Sequence, residues 1–182
     1  SREILNKAAI MNGIDGGELI SPTLTFEAIN QFASKTMKTN VVRVPMTKEM
    51  GIDLKTTGQM VNSKTNMVYL CNPNNPTGVI MNPKELEVFC KETSKKSIVF
   101  VDEAYHEYVM DKQYRSMVSL VNEGYDVLIS RTASKVHGLA GLRVGYAIST
   151  PKIIKRLNSY MNGSLNVVGL RGAIASYKDK RF

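Results

Sequence analysis

The sequence predicts an α/β fold of three layers, in which helices cover both faces of a mainly parallel sheet with one antiparallel strand. Short apolar runs alternate with stretches of helical periodicity, a pattern typical of parallel strands joined by covering helices. The chain has 182 residues, of which 43% are hydrophobic, so it is long enough for one domain with a full core. We therefore expect one domain over residues 1–182.

The apolar runs predict six strands, at residues 18–20, 41–44, 67–71, 97–101, 127–130 and 144–149. Helical patterns occupy residues 1–12, 26–36, 83–94 and 117–123. The third helix has the clearest start, because Asn82 can cap it and Pro83 suits its first turn. The polar stretch from 47 to 64 predicts a surface crossing with room for one short helix.

Charge and cysteine content narrow the class of protein. The net charge is +8, but the lysines are scattered, so a solvated surface is expected rather than a nucleic-acid interface. No apolar run approaches the roughly 20 residues that cross a bilayer, so no membrane partner is expected. Cys71 and Cys90 lack metal-like spacing and predict buried thiols, which fits a cytoplasmic protein without a metal site.

Polar segments follow three of the predicted strands. Residues 72–78 read Asn-Pro-Asn-Asn-Pro-Thr-Gly, residues 102–105 read Asp-Glu-Ala-Tyr, and residues 131–135 read Arg-Thr-Ala-Ser-Lys. In open α/β sheets, ligands bind beyond the carboxyl ends of the strands. We therefore expect these segments to converge on one site.

The residues in these segments are suited to a phosphorylated ring cofactor. Lys135 lies in a glycine-containing loop that a planar ring could reach, and Arg143, eight residues later, offers a fork of donors for a phosphate. Asp102 could keep a ring nitrogen protonated, while Asn75 and Tyr105 could share a ring oxygen. Pyridoxal 5′-phosphate (PLP) requires these groups.

The three motifs resemble those of the fold-type I PLP-dependent aminotransferases of class I/II, within the branch that contains histidinol-phosphate aminotransferase. The resemblance spans essentially the whole chain, with 27 residues from Asn75 to Asp102 and 33 from Asp102 to Lys135. It implies the large, cofactor-binding domain of a longer, homodimeric enzyme. An N-terminal arm and a small C-terminal domain would lie outside this chain, which would itself have little or no activity.

The resemblance also implies catalytic roles. Lys135 would bond the cofactor aldehyde and later move a proton between the substrate and the cofactor, tasks that require a neutral amine. Asp102 would face the pyridine nitrogen and keep it protonated. Asn75 and Tyr105 would donate to the phenolic oxygen of the ring.

Several further residues would bind the phosphate or the ring. Arg143 would hold the phosphate, with the hydroxyls of Ser134 and Thr132 beside it. Ser1 and Arg2 begin a predicted helix whose N–H groups could also meet the phosphate.

The sequence also predicts contacts for three side chains that contain a ring. Phe26 matches the position where the family stacks an aromatic ring on the cofactor, although it also begins a helix that must bury a residue. His106 and His137 titrate near neutrality, yet neither needs a catalytic role, so we expect both to make packing or water contacts.

The expected reaction is amino-group transfer between an amino acid or amino phosphate, with histidinol phosphate as the first choice of the family, and a 2-oxo acid. A decarboxylase or lyase on the same scaffold would use the same Lys135 and Asp102. A non-enzymatic module that senses PLP would also keep them. The sequence leaves these alternatives open.

Overall fold

The computed structural model describes residues 2–160 and 163–179, and these form six strands in one sheet of order β2-β1-β3-β4-β5-β6. The strands are β1 (Glu18–Pro22), β2 (Asn40–Val44), β3 (Thr65–Cys71), β4 (Ile98–Asp102), β5 (Val127–Thr132) and β6 (Gly145–Ile148). The first five run parallel to one another, and β6 is antiparallel to β5. The predicted sheet is confirmed.

Seven α-helices occur in the described residues, and five of them enclose the cores on the two faces of the sheet. The seven are α1 (Arg2–Gly13), α2 (Ala28–Lys35), α3 (Leu54–Met60), α4 (Pro83–Thr93), α5 (Val118–Asn122), α6 (Pro151–Asn158) and α7 (Val167–Lys178). One apolar core lies between the sheet and α4 and α5, and the other lies between the sheet and α1, α2 and α6. This arrangement confirms the three layers.

Strand β3 is buried on both faces and supplies both cores. Met67, Tyr69 and Cys71 belong to the core beneath α1, whereas Val68 and Leu70 belong to the core beneath α4. Successive side chains of a strand point to opposite faces, so a continuous apolar run is what a central strand requires.

The helix predicted from Pro83 begins there. The Oδ1 atom of Asn82 accepts hydrogen bonds from the backbone N–H groups of Lys84 and Glu85, at 3.0 and 3.3 Å. Both cysteines are buried free thiols, as expected. No helix in residues 2–160 or 163–179 is long and apolar enough to cross a bilayer.

Helices α6 and α7 were not predicted from the sequence. Helix α6 does carry a start signal, because Pro151 occupies its first turn after Thr150. Helix α7 contains Gly169 and Gly172 and leaves several apolar side chains exposed, so its pattern has no clear apolar face.

Candidate active site

The carboxyl ends of β3, β4 and β5 meet at a cavity of about 280 Å³. Eight of the ten residues proposed from the sequence line it: Arg2, Phe26, Asn75, Asp102, Tyr105, Ser134, Lys135 and Arg143. A larger cavity of about 820 Å³ lies at the opposite edge of the sheet, near the amino ends of the strands, and contains none of the motif residues. The smaller cavity is therefore the candidate site.

Asp102 is the buried acid of the site, with 3% of its surface exposed. Its Oδ1 accepts a hydrogen bond from the Ser130 hydroxyl at 2.6 Å, and its Oδ2 accepts one from the Tyr69 hydroxyl at 3.2 Å. Burial raises the pKa of the Asp102 carboxyl, and the hydrogen bonds from Ser130 and Tyr69 oppose that rise by favouring the charged form. The sequence analysis did not identify either hydroxyl.

Strand register explains this arrangement. Asp102 pairs with Cys71 on β3 and with Ser130 on β5. Tyr69 lies two residues before Cys71, so its side chain points to the same face. Both hydroxyl groups therefore come from ordinary strand positions on either side of the acid.

The Lys135 amine lies over the ring of Tyr105, 4.6 Å from the ring centroid. An ammonium group in this position is attracted by the negative face of the ring. The Tyr105 hydroxyl accepts a hydrogen bond from Nδ2 of Asn75 at 3.4 Å. The three side chains that the motifs placed on separate loops are thus in contact.

The antiparallel strand explains why Arg143 returns to the site. Thr132 at the end of β5 pairs with Gly145 at the start of β6, so residues 133–144 leave the sheet and come back to it. Gly138 adopts a left-handed backbone with φ of +64°, which glycine allows at little cost. Arg143 is exposed at the rim and donates from Nη1 to the Ala140 carbonyl at 2.7 Å.

Thr132 is not among the described residues that line the cavity. The Thr132 hydroxyl donates to the Val144 carbonyl at 3.2 Å and accepts from the Ser134 N–H at 3.1 Å. Its hydrogen is therefore engaged in holding the loop in this structure, and a role for Thr132 at the phosphate stays a prediction. Ser1 lies outside the described residues.

The two histidines do not line the cavity. His106 Nε2 lies 2.9 Å from a carboxylate oxygen of Glu107. His137 Nδ1 lies 2.8 Å from the Ser176 hydroxyl, and its ring centroid is 4.0 Å from that of Tyr177. The ring contact of His137 with Tyr177 is the expected packing, whereas the contact of His106 with Glu107 is polar and was not expected.

A partly buried ion pair joins the residue after β4 to β5 beside the site. Glu103 is 1% exposed and accepts hydrogen bonds from Nε and Nη2 of Arg131 at 3.1 and 2.9 Å. It also accepts from the Ser116 hydroxyl and from the Met117 N–H. No role for this pair was predicted from the sequence, because the resemblance to the family assigns the ring-facing acid to Asp102. The Glu103–Arg131 pair and the Asp102–Ser130 hydrogen bond together link the carboxyl ends of β4 and β5.

Residues 4–179 match the family of aminotransferase class I and II. The chain belongs to this family. A histidinol-phosphate aminotransferase from Brevibacillus brevis is 37% identical over 174 residues, which are 92% of this chain and 46% of that protein.

Solved structures of aminotransferases resemble the chain closely. A candidate histidinol-phosphate aminotransferase from Erwinia carotovora atroseptica is 32% identical, with a TM-score of 0.93 over 100% of this chain and 53% of the other. The fold is also that of a histidinol-phosphate aminotransferase from Sinorhizobium meliloti solved in complex with pyridoxal-5′-phosphate, at 24% identity and a TM-score of 0.84, over 94% of this chain and 48% of the other. The chain spans about half the length of the curated relatives it matches.

Proposed function

We propose that the chain binds PLP in the 280 Å³ cavity and is the cofactor-binding part of an aminotransferase. The supporting observation is that the Lys135 amine and the Asp102 carboxylate, from adjacent strand ends, open into one cavity in a chain of the aminotransferase family. The relatives named above make histidinol phosphate the first candidate for the amino donor. The acceptor would be a 2-oxo acid.

The chemistry of the cavity fits PLP. The side chains that hydrogen-bond to the buried Asp102 carboxylate, Ser130 and Tyr69, are neutral hydroxyls, so a protonated pyridine nitrogen would supply the missing positive charge. Arg2 and Arg143 both line the cavity and suit a phosphate dianion. An aldehyde between these two ends would meet the Lys135 amine.

Bound PLP supplies an aldehyde that captures amines and a cationic ring that accepts the electron pair left when a substrate Cα–H bond is broken. Lys135 Nζ, as a neutral amine, would take the proton from the substrate Cα and give it to the cofactor carbon that carries the transferred nitrogen. The Asp102 carboxylate would keep the proton on the ring nitrogen.

The remaining residues orient the ring. The hydrogen-bonded Asn75 and Tyr105 pair presents a hydroxyl and an amide to the ring oxygen. Phe26 lines the cavity and would pack on the ring face. Ser134 lines the same cavity and would add a hydroxyl donor to the phosphate. We propose Arg2 and Arg143 as the charged ligands of the phosphate.

The same Lys135 and Asp102 would serve a PLP-dependent decarboxylase or a PLP-sensing module. Membership of the aminotransferase family favours amino transfer. We further propose that the full-length protein is a cytoplasmic homodimer, which sedimentation of that protein and fractionation of its source cells would test.

The proposal predicts a specific chemical label. Titration with PLP should produce an absorbance change, and borohydride reduction followed by peptide mapping should find the label on Lys135. Lys135→Ala should lose the label, whereas Lys95→Ala, which removes an exposed lysine paired with Glu92, should keep it. A label on another lysine, or an unchanged label in Lys135→Ala, would refute the site.

A further inference from the structure

Asn74 is a buried amide whose hydrogen bonds join two loops. It is 3% exposed and directly precedes Asn75. Its Oδ1 accepts a hydrogen bond from the Thr25 hydroxyl at 3.0 Å, while its Nδ2 donates to the Leu24 carbonyl at 3.0 Å and to the Thr77 hydroxyl at 2.9 Å. Both donors and the acceptor of the amide are therefore used.

The two loops carry facing parts of the candidate site. Leu24 and Thr25 lie in the connection from β1 to α2, immediately before Phe26. Asn74 lies in the turn after β3, which is closed by a hydrogen bond of 2.7 Å from the Gly78 N–H to the Asn74 carbonyl. Since these loops are about 50 residues apart in sequence, the amide provides a direct link that local chain geometry does not.

A second group of hydrogen bonds holds the connection from β1 to α2, which contains Phe26. Arg43 on β2 donates to the Glu27 carboxylate at 2.6 and 2.9 Å and to the Thr23 carbonyl at 2.7 Å. These side chains are partly exposed, and an ion pair in water contributes little because solvent and salt screen it. The hydrogen bond between Asn74 and Thr25 is buried, so water weakens it less than it weakens the Arg43 contacts.

We propose that Asn74 is a positioning residue for the cofactor cavity, which fixes Phe26 relative to Asn75. Asn74 is not among the residues that line this cavity, so it acts through its two neighbours. Asn75 would hold an oxygen of the cofactor ring, and Phe26 would pack on the face of that ring. Good packing requires a defined distance and lateral offset between the two rings. The inference rests on the proposed function, because it concerns the ring that this cavity would bind.

The test is a double-mutant cycle on PLP affinity, measured by absorbance titration of the full-length protein. Asn74→Ala and Phe26→Leu should each weaken binding, by roughly 10-fold, and the double variant should bind no more weakly than the poorer single variant. Circular dichroism of the bound cofactor should change in Asn74→Ala as it does in Phe26→Leu. A purely structural role of Asn74 would lower the melting temperature and leave this signal unchanged.

Thr77→Ala is the matched control. It removes one partner of the same amide but keeps the bonds from Asn74 to Leu24 and Thr25. Its effect on affinity should be within about 2-fold and should add to that of Phe26→Leu. Asn74→Ser, which keeps a hydroxyl in the turn, replaces Asn74→Ala if that variant does not fold.

Additive effects of Asn74→Ala and Phe26→Leu would overturn the inference. The unsubstituted protein separates this failure from a failure of the proposed function. If PLP labels Lys135 and the cycle is additive, only the role of Asn74 is wrong. If PLP does not label Lys135, the proposed function is wrong, and the inference with it.

Discussion

Asp102 keeps a carboxyl group in the protein interior with only neutral side chains hydrogen-bonded to it. Ser130 and Tyr69 stabilise its charged form, and burial opposes that form and raises the pKa of the carboxyl. A group whose pKa is higher in the folded than in the unfolded state destabilises the fold at pH values above the folded pKa. This cost ends when a cation binds next to the carboxylate.

Asp102→Asn should therefore have opposite effects on stability and on binding. Without PLP, the variant should be more stable than the unsubstituted chain at neutral and alkaline pH, because it removes a buried charge. The difference should shrink as the pH is lowered through the raised pKa towards the ordinary value of the carboxyl. Urea unfolding at several pH values measures the first effect, and PLP titration should show weaker binding.

Glu92→Gln is a suitable comparison, since it neutralises an exposed acid paired with Lys95. It should change neither the stability nor the PLP affinity by a measurable amount. A destabilised Asp102→Asn chain at pH 8 would contradict the prediction, as would PLP affinity that is unaltered in that variant.

The principal residues of the candidate site could be predicted from their position after strands, and their supporting residues could not. Lys135, Asp102 and Asn75 each follow a predicted strand, and chemistry at strand ends is a sound expectation. Nothing in the sequence around Ser130 or Asn74 indicates a supporting role. Their hydrogen-bond partners are set by strand register for Ser130 and by loop packing for Asn74. Thr132 was predicted as a phosphate donor, but the backbone of its own loop engages its hydroxyl.

At the scale of elements, α7 lies against the loop that connects Lys135 to Arg143. Nδ2 of Asn166 donates to the Leu142 carbonyl at 3.0 Å, and His137 contacts Ser176 and Tyr177. A Cβ atom added at Gly169 would lie 2.8 Å from the Leu142 carbonyl oxygen. The helix can approach this closely because that position has no side chain.

Gly169→Ala should separate α7 from the loop. The added methyl group would meet backbone that cannot easily move, so we expect a loss of about 1–3 kcal/mol in the free energy of unfolding. Faster amide hydrogen exchange in α7 and in residues 138–142 would show where the damage lies. Urea titration would measure its size.

Gly172→Ala is the control within the same helix. The added methyl group there would meet Cδ1 of Leu142 at 3.1 Å, which is the end of a flexible side chain. Because alanine is a better helix former than glycine, the variant should be neutral or slightly more stable. Equal losses in the two variants would show that the close approach of α7 has no special importance.

Local signals explain which elements the sequence predicted. Helix α4 has a capping residue, a first-turn proline and an apolar stripe, and its start was predicted to the residue. Helix α7 has two glycines and exposed apolar residues such as Val167 and Val168, so the 3.6-residue period is obscured. Such a helix is defined by its tertiary contacts rather than by its own pattern.

At the scale of the molecule, the alternation of apolar runs and helices was enough to predict the layers of the sheet. The order β2-β1-β3-β4-β5-β6 was not predicted, because single-sequence patterns do not specify which strands are neighbours. Boundaries differ by one or two residues where strands extend into polar ends, as β5 does to Thr132. The convergence of the three motifs followed from their shared position at carboxyl ends.

The 182-residue chain, assayed alone, should bind PLP but transfer amino groups poorly. Of the described residues that line the cavity, Arg2, Lys135 and Arg143 have basic side chains, and the proposal already assigns all three. None remains to hold the carboxylate of a 2-oxo acid. Phe26 is 36% exposed, so water can also reach the site.

We expect the rate with histidinol phosphate and a 2-oxo acid to be about 100-fold or more below that of the full-length protein. Borohydride labelling of Lys135 in both proteins is the control for an intact site. Equal rates would show that the cavity described here is sufficient for amino transfer.

With PLP bound beside Asp102 as proposed, the carboxylate would also make the cellular lifetime of the polypeptide depend on the cofactor. A ligand that binds only the folded form lowers the fraction of molecules open to proteases. Newly made chains that meet a shortage of cofactor would spend more time unfolded and would be degraded sooner. Cofactor supply would thus control the abundance of the protein as well as its loading.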